Sequence, residues 1–371
     1  MKVLHLGKFF PPYKGGIETV TYDIYSEINA KISDIQADVL CFSDSSNSTS
    51  LNGGKVTYSK VIGVFFSLPI SLDYVVNWVR MRNKYEIIHV HFPNPLAAAC
   101  LVLFPSKAKL VVHWHSDIVK QKLLKYLVNV FQNAVLRRCE AIVLTSKRYL
   151  EFSDDLVPYT HKSVVIPIGV RDCEANLLDV SCPQRLIPFM ESKSNKRIIL
   201  SVGRLTYYKG FEYLIRAAVD LDDDYQIIIA GSGELFEQHS RLINLLHLEG
   251  KVFLLGSVSD LELSYLYHIS DIFCLPSIHR SEAYGVVQCE AMRSALPIVS
   301  TNIPGSGVSW VNKDGVSGVI VEPCSPQAIV DACNLIYASY SSFSVRSRER
   351  YIGKFRIDQM IEKFEFLYRS I

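Results

Sequence analysis

Short apolar segments alternate with segments of helical periodicity along almost the whole chain of 371 residues. Such apolar runs are typical of strands that are buried on both faces, as in parallel sheets. In the first half the predicted strands are Val3–Gly7, Asp38–Phe42, Ile87–His91, Leu110–His115, Ala141–Thr145 and Ser163–Pro167. After a polar stretch from Pro183 to Asn195, the alternation resumes with Arg197–Gly203, Gln226–Gly231, Val252–Gly256, Asp271–Leu275, Pro297–Ser300 and Gly318–Val321.

The restart of this alternation predicts an α/β fold with two doubly wound, Rossmann-like domains facing each other across a cleft. The length also exceeds the usual size of a single hydrophobic core. We expect the first domain at residues 1–185, the second at 186–354 and a C-terminal helix at 355–371. In such sheets ligands bind beyond the carboxyl ends of the strands, so the residues that end each strand are the candidates for a site.

Composition excludes several other classes of protein. The chain is 49% hydrophobic and 20% charged, as in ordinary globular proteins. Its nine cysteines include no Cys-x-x-Cys pair, which argues against a zinc or disulfide framework and favours a reducing compartment. The N-terminus shows no signal-peptide core, and the longest apolar run, Leu96 to Phe104, is too short to span a bilayer. We therefore expect a cytoplasmic protein, with Ser43 to Ser50 as a surface loop.

Basic residues concentrate between Lys107 and Arg148, where nine of them face only Asp117 and Glu140. Residues 118–138 within this segment have helical periodicity and a basic face. This pattern suits either a helix lying on the anionic inner face of the cell membrane or an ordinary helix with a solvated side. Nucleic acid is not an expected partner, because exposed aromatic residues do not interleave with the basic ones and the isoelectric point is only about 8.0.

The segment Ser281 to Met292 carries two glutamates around a glycine. Glu282 falls in a strand-to-helix loop, Gly285 and Val286 begin the predicted helix, and Glu290 lies further along it. The two glutamates would be roughly 12 Å apart at the helical rise of about 1.5 Å per residue. A helix N-terminus between two such carboxylates offers three different contacts to one elongated anionic ligand. The alternative is an amphipathic helix with a solvated glutamate at each end.

Two cations follow the first strand of the second domain. Arg204 and Lys209 lie in the loop between that strand and the next helix, where they could neutralise a departing diphosphate. Ordinary surface cations are the alternative. Glycines end this strand and the next one, and they would keep the floor of a cleft open; they are Gly203, Gly231 and Gly233.

The first domain contributes a glycine loop and strand-end histidines. Gly15 and Gly16 precede a helix predicted from about Thr19, and they suit either close approach to a phosphate or a plain turn. His91 and His115 end strands and could donate or orient a hydrogen bond, although a structural role is the alternative. His113 shares the face of His115, but no third ligand with suitable spacing accompanies them, so we expect no metal.

In combination these motifs resemble glycosyltransferase family 4, the retaining nucleotide-sugar glycosyltransferases of the GT-B fold. The resemblance covers nearly the whole chain and rests on Pro11-Pro12 with Gly15-Gly16-Ile-Glu18, Val202-Gly-Arg-Leu with Lys209-Gly210, Ala230-Gly-Ser-Gly233 and the Ser281 to Met292 segment. The chain departs from the family at Pro167-Ile-Gly-Val-Arg171, where Pro-Asn-Gly-Val-Asp is frequent.

The resemblance implies a role for each matching residue. Arg204 and Lys209 would bind the donor diphosphate, Glu282 the hydroxyls of the donor sugar, and Glu290 the ribose. Gly16 would approach the phosphate and His115 the transferred sugar. The C-terminal helix would cross back to the first domain.

The resemblance also implies a reaction: retaining transfer of a hexose from a nucleotide sugar without a metal cofactor. The expected donor is GDP-mannose, with UDP-hexoses as the alternative, and the expected acceptor is a lipid-linked saccharide of surface polysaccharide such as O-antigen. An inverting transferase or epimerase of the same outline, and a non-catalytic module that binds nucleotide sugars, stay open as alternatives.

Overall fold

Two β-sheets whose strands run almost entirely parallel organise the computed structural model. The structure describes residues 1–13, 15–65, 68–116, 122–172, 182–186 and 196–371. Contacts divide the chain into a first unit, Met1–Ile168 with Ile357–Ile371, and a second unit, Gly169–Arg356. The predicted α/β class with two doubly wound domains is confirmed, since each unit contains one of the two large sheets.

The first unit contains an eight-stranded sheet and a two-stranded hairpin. Its strands are β1 Lys2–Leu6, β2 Gln36–Ser43, β3 Asn47–Leu51, β4 Gly54–Lys60, β5 Gly63–Phe65, β6 Leu68–Ile70, β7 Ile87–Phe92, β8 Lys109–Trp114, β9 Ala141–Leu144 and β10 Ser163–Val165. Its helices in chain order are α1 Gly16–Lys31, α2 Leu72–Met81, α3 Pro95–Leu103, α4 Lys122–Arg138 and α5 Arg148–Phe152.

Strand order in this sheet is β10-β9-β8-β7-β1-β2-β4-β3, and β3 alone among these strands runs antiparallel. The order reverses between β1 and β7, so the loops after these two strands leave in opposite directions and open a crevice at the carboxyl edge. All six residues of β7 are buried, as expected for a strand covered on both faces.

The second unit contains a six-stranded parallel sheet in the order β13-β12-β11-β14-β15-β16. Its strands are β11 Arg197–Val202, β12 Tyr225–Ala230, β13 Val252–Gly256, β14 Ile272–Leu275, β15 Ile298–Thr301 and β16 Gly318–Val321. Its helices are α6 Phe211–Ala217, α7 Phe236–Leu245, α8 Asp260–Ile269, α9 Val286–Arg293, α10 Val308–Val311, α11 Pro326–Ala338 and α12 Tyr340–Lys354. The order reverses between β11 and β14, which places a second crevice at their carboxyl ends.

The C-terminal helix, α13 Ile357–Ser370, belongs to the first unit. Its buried residues recur at helical spacing and form one apolar stripe, and they are Ile357, Met360, Ile361, Phe364, Leu367 and Tyr368. Two ion pairs flank the stripe: Lys31 lies 2.5 Å from Asp358, and Arg369 lies 2.8 Å from Asp34. The helix expected at residues 355–371 is thus present, and it packs on the first domain as the resemblance implied.

The boundary between the units differs from the expected one at residues 185 and 186. Val170 pairs with Arg356 in an isolated parallel bridge, its N–H donates to the carbonyl of Phe355 over 2.8 Å, and its carbonyl accepts from the hydroxyl of Tyr351. These bonds attach residues 169–172 to the second unit. Residues 187–195, which belong to the polar stretch from Pro183 to Asn195, lie outside the described residues.

Two local expectations also change. Ser43 to Ser50 is not a surface loop throughout, because Asn47–Leu51 pairs with β4 as an antiparallel strand. Helix α1 begins at Gly16 rather than near Thr19. Of the basic segment 118–138, residues 118–121 lie outside the described residues and α4 accounts for the rest. Among the described residues, no helix combines the length and apolar character needed to cross a membrane.

Five buried histidines share one face of the first sheet: His5 on β1, His89 and His91 on β7, His113 on β8 and His115 directly after it. Alternation along β7 and β8 and the pairing of His5 with His89 and of His91 with His113 bring their rings together. Phe364 and Tyr368 of α13 contact rings of this group, which we call the histidine face.

The histidine face predicts that the first unit loses stability as the pH falls. Burial, with additional repulsion from neighbouring rings at several positions, lowers the pKa of all five, to about 3 for His5 and His115. The unfolded chain therefore binds protons near pH 6.5 that the folded unit does not bind. Stability should be constant above about pH 6.5 and fall below it by up to about 1.4 kcal/mol per pH unit for each histidine. Thermal unfolding followed by circular dichroism at pH 7.5, 6.5 and 5.5 measures this dependence.

A matched pair of variants separates this effect from general acid unfolding. His113→Leu removes one of these titrating groups, whose two ring nitrogens have no hydrogen-bond partner among the described residues. It should reduce the loss of melting temperature between pH 7.5 and 5.5, whereas His161→Ala, at an exposed position of the same unit, should leave it unchanged. An unaltered pH dependence in His113→Leu would contradict the assignment.

Candidate active site

The crevice of the second unit is bounded by the loops that follow β11 and β14. The first loop carries Lys209 and the second carries Glu282. A backbone hydrogen bond of 2.8 Å from Ile278 to the carbonyl of Tyr208 joins the two loops. Because β11 and β14 are neighbours at the point of strand reversal, residues far apart in sequence meet at one edge of the sheet.

Lys209 and Glu282 form an ion pair at this edge. The Lys209 Nζ lies 2.5 Å from Glu282 Oε2, and the two side chains are only 10% and 11% exposed. The hydroxyl of Ser277 donates to the same carboxylate oxygen over 3.3 Å. Burial alone would lower the pKa of Lys209, but the charge and hydrogen bond of Glu282 outweigh it and raise that pKa above 10.5. The lysine is therefore a fixed cation at neutral pH.

Three predicted glycines lie where backbone segments pack against one another. A Cβ added to Gly231 would lie 2.0 Å from the carbonyl oxygen of Gly203, and one added to Gly233 would lie 2.3 Å from that of Leu205. A Cβ on Gly203 would lie 3.0 Å from Cε of Lys209. These glycines therefore allow the loop after β12 to pack against the loop that carries Lys209. This packing explains the glycines more specifically than the expectation that they keep the floor of a cleft open.

Helix α9 begins beside the ion pair. Gly285 precedes it with a φ of 73°, a left-handed conformation that favours glycine, and no side chain caps this N-terminus. The N–H groups of the first turn, beginning at Val286, carry the partial positive charge of a helix N-terminus. The backbone N–H of Gln288 bonds to the carbonyl of Gly285.

Glu290 lies further along α9 and is held by a tyrosine that the sequence analysis missed. The hydroxyl of Tyr267, a fully buried residue of α8, donates to Glu290 Oε2 over 2.8 Å. Glu290 is half-buried, and its charge contributes to the raised pKa of Lys209. Helical spacing in α8 could only have identified Tyr267 as a core residue, because its partner lies on another helix.

Arg204 stands apart from the buried pair. Its side chain is 76% exposed, and its Nε lies 3.8 Å from Glu234. An exposed guanidinium on the same loop as Lys209 can reach a ligand from the solvent side without the desolvation cost of a buried charge.

In the first unit, Gly15 is the extended N-cap residue of α1, and no side chain caps this helix. A Cβ added to Gly16 would meet no atom within 4 Å, so the backbone there borders open space. A second uncapped helix N-terminus of this kind suits an anionic group.

His115 follows β8 at the edge of the histidine face and is 6% exposed. Its Nε2 lies 2.9 Å from His91 Nδ1, and His91 Nε2 lies 3.1 Å from His5 Nδ1. The expectation that no third ligand accompanies His113 and His115 is wrong, since ring nitrogens of His91, His113 and His115 lie within 4.8 Å of one another. Those of His5, His89 and His91 do so as well. Alternation of histidines along β7 and β8 was readable from sequence, but the place of His5 required the strand order.

Comparison with known proteins agrees with both units. Residues 14–172 match the family model described as Glycosyltransferase Family 4, and residues 184–354 match Glycosyl transferases group 1.

Relatives of known name extend the match to the whole chain. The O-antigen chain mannosyltransferase C of Escherichia coli is 32% identical over 100% of this chain and 99% of its own length. The D-rhamnosyltransferase WbpZ of Pseudomonas aeruginosa is 29% identical over 91% of this chain and 87% of its own. The crystal structure of the Anabaena protein HepE in complex with UDP superposes with a TM-score of 0.78, at 20% identity and with full coverage of both chains. The chain therefore belongs to glycosyltransferase family 4 and is a glycosyltransferase of the GT-B fold.

Proposed function

We propose that this glycosyltransferase moves a hexose, in the first place mannose from GDP-mannose, onto a lipid-linked or saccharide acceptor with retention of anomeric configuration. The product would belong to a surface polysaccharide such as the O-antigen of lipopolysaccharide. The buried pair of Lys209 and Glu282, 2.5 Å apart at the strand reversal of the second unit, carries the proposal.

The two side chains of the pair are suited to bind two different parts of a nucleotide-sugar donor. Lys209 is a permanent cation suited to the diphosphate, and Glu282 is a hydrogen-bond acceptor suited to the hydroxyls of a sugar. The N-terminus of α9 adds partial positive charge for phosphate, and Glu290, held by Tyr267, is suited to the two hydroxyls of a ribose. Sugar, diphosphate and ribose are consecutive parts of such a donor, in that order, and the base follows the ribose.

In the proposed reaction the bond between C1 of the sugar and the diphosphate oxygen breaks, and its electron pair stays on the phosphate. The acceptor hydroxyl attacks C1 from the same face, and its proton passes to the departing phosphate oxygen. Lys209 and Arg204 stabilise the charge that develops there, by about 3 kcal/mol for a well-placed donor. No metal cofactor and no protein nucleophile take part in this proposal, and Glu282 acts by positioning the sugar.

The choice of donor follows the named relatives. A mannosyltransferase shares 32% identity with this chain over its full length, which supports mannose and hence GDP-mannose. The alternative is a UDP-sugar, since the Anabaena protein of the same fold binds UDP. A non-catalytic module that binds nucleotide sugars would retain the same charges but show no transfer.

The acceptor is proposed to be presented at the inner face of the cell membrane. The basic residues between Lys107 and Arg148 support peripheral contact with anionic lipid there. Arg138 is not counted among the basic residues for lipid contact, because its guanidinium donates to the carbonyls of Leu101 and Ser106.

Replacement of either member of the ion pair should strongly reduce transfer. We expect Lys209→Met to lower kcat by on the order of 100-fold to 1,000-fold, as for loss of one donor to a developing oxyanion. Glu282→Gln should lower kcat/KM strongly while the protein stays folded, because an amide can still accept from Ser277. Steady-state transfer of radiolabelled hexose from the donor measures both effects.

Two controls accompany these variants. Arg216→Ala removes an exposed cation of α6 and should leave transfer unchanged. Because Lys209→Met leaves a buried carboxylate without its cation, it should also lower thermal stability, and the assay is run below its melting temperature. Full activity in either pair variant would refute the site assignment.

Removal of the Tyr267 hydroxyl should weaken donor binding more than chemistry. Tyr267→Phe deprives Glu290 of its hydrogen bond, so we expect the donor KM to rise by about five- to tenfold with kcat within about twofold, the size of one net hydrogen bond. Tyr337→Phe, at a partly exposed position of α11, serves as the control. Equal KM values in Tyr267→Phe and wild type would contradict the proposed role of Glu290.

A thermal-shift screen against GDP-, UDP- and dTDP-sugars should identify the donor. Ligand at 100 times its Kd stabilises the folded state by about 2.7 kcal/mol, so the matching nucleotide sugar raises the melting temperature. We expect the largest rise with GDP-mannose, and transfer from the same compound. A shift without turnover, when transfer is assayed with lipid-linked acceptors, would favour the non-catalytic binding module. The absence of any shift would exclude both the proposed transferase and the binding module.

A further inference from the structure

Helix α2 of the first unit has apolar residues on two faces. Tyr74 and Trp78 are buried, and the helix packs on β2 and β4. Leu72, Val76 and Val79 follow one another at intervals of four and three residues, which places them together on the outward side. All three are exposed, Leu72 by 68%. A surface helix normally has polar residues on that side, but this stripe faces solvent in the part of the chain that the structure describes.

Helix α3 repeats this pattern with a stronger bias. Pro95–Leu103 consists only of proline, leucine, alanine, cysteine and valine. A helix that is apolar all round is normally buried all round. Val102, Leu103 and the C-cap residue Phe104 are nevertheless exposed, Leu103 by 62%. The outward side of α3 is therefore apolar as well.

The two helices lie side by side on one face of the first sheet. The connection from β4 to β7 contains α2 and the connection from β7 to β8 contains α3, and both run in the same direction across the sheet. Right-handed crossovers then place both helices on the same face. Trp78 Nε1 of α2 donates to the carbonyls of Cys100 and Phe104 over 3.1 and 3.0 Å, which joins the two helices. Their exposed apolar side chains form one surface, the outer apolar face, whose members are Leu72, Val76, Val79, Val102, Leu103 and Phe104.

Cations border the outer apolar face where both helices end. They are Arg80, Arg82, Lys84, Lys107 and Lys109, of which all but the half-buried Arg82 are exposed. Residues 54–109 contain seven lysines and arginines against two acidic residues, Asp73 and Glu86. A second copy of this chain docked on the face would bring like charges together, whereas an anionic surface would complement them.

An apolar surface bordered by cations matches the interface of an anionic lipid bilayer. Leucine, valine and phenylalanine side chains enter the boundary between headgroups and acyl chains, while lysine and arginine stay at the level of the phosphates. Exposed apolar surface of this kind marks interaction sites in general, and the charge selects anionic lipid as the partner.

We propose that the outer apolar face docks the first unit on an anionic bilayer, with its apolar side chains inserted among the lipids. This contact adds apolar insertion to the electrostatic attraction proposed for the segment from Lys107 to Arg148. The inference rests on the proposed function for the lipid-linked acceptor that docking would serve, but membrane binding itself is a property of the free protein.

Flotation of the full chain with phospholipid vesicles tests this docking. We expect wild type to bind vesicles of phosphatidylglycerol and phosphatidylcholine in equal amounts, and to bind pure phosphatidylcholine more weakly. Leu72→Ser combined with Leu103→Ser should lower the partition coefficient on the mixed vesicles by at least about tenfold, because two buried leucine side chains are lost. Leu245→Ser combined with Leu261→Ser is the matched control, since it replaces two exposed leucines of the second unit. This control should bind within about twofold of wild type.

Two further measurements separate insertion from charge attraction. Arg80→Gln combined with Lys84→Gln, outside the segment from Lys107 to Arg148, should lower the partition coefficient by about fivefold for each cation. Val76→Trp places a fluorophore on the outer apolar face, and phospholipids brominated on their acyl chains should quench it beyond the wild-type level. Leu245→Trp, in the second unit, should show no additional quenching.

The outcomes separate this inference from the proposed function. Equal vesicle binding by wild type and the Leu72 and Leu103 double variant, or no additional quenching in Val76→Trp, would overturn the docking proposal. A wild-type dimer that the same double variant dissociates, without vesicle binding, would instead assign the face to a second copy. If wild type transfers no hexose from any nucleotide sugar, the proposed function fails while flotation still decides the docking. If wild type is active but does not bind the mixed vesicles, the docking is refuted and the proposed function stands.

Discussion

The parallel pairing of strands within each sheet is the constraint on which the rest of the structure depends. Parallel strands end at a common edge, and where their order reverses, two loops from distant parts of the chain leave in opposite directions. In the second unit this reversal, between β11 and β14, brings Lys209 to Glu282. In the first unit the reversal between β1 and β7 places His5 beside His89 and His91. Both groups of charged or polar side chains are products of strand order rather than of local sequence.

Burial gives these groups their chemical character. A lysine taken out of water would lose its proton more readily, but the carboxylate 2.5 Å away reverses that tendency and keeps it cationic. The histidines have no such counter-charge, so burial keeps them neutral. The second unit therefore offsets the cost of burying charged groups by pairing Lys209 with Glu282. The first unit avoids that cost because its buried histidines stay neutral.

Much of the fold could be predicted from sequence because its strands are continuous apolar runs and its connections are helical. The candidate site residues Lys209, Glu282 and Glu290 could be selected because each follows a strand or lies in the helix after that strand. Their contacts could not be predicted. The bond between Tyr267 and Glu290 joins two helices, and the ring-nitrogen contacts from His5 through His91 to His115 cross three neighbouring strands. The domain boundary was misplaced for a similar reason, since backbone bonds from Val170 to Phe355 decide it.

The position of α13 has a consequence for synthesis on the ribosome. Residues 357–371 are made after the whole of the second unit, yet Phe364 and Tyr368 contact rings of the histidine face in the first unit. The second unit is continuous in sequence and can close while the chain is still attached. The strands of the first unit are translated earlier, but the helix that packs on their histidine face follows the second unit in the chain, so the first unit is completed after the second, against the usual N-terminal-first order. A product that ends before residue 357 would leave the histidine face without α13, and chaperones and proteases would recognise the incomplete unit.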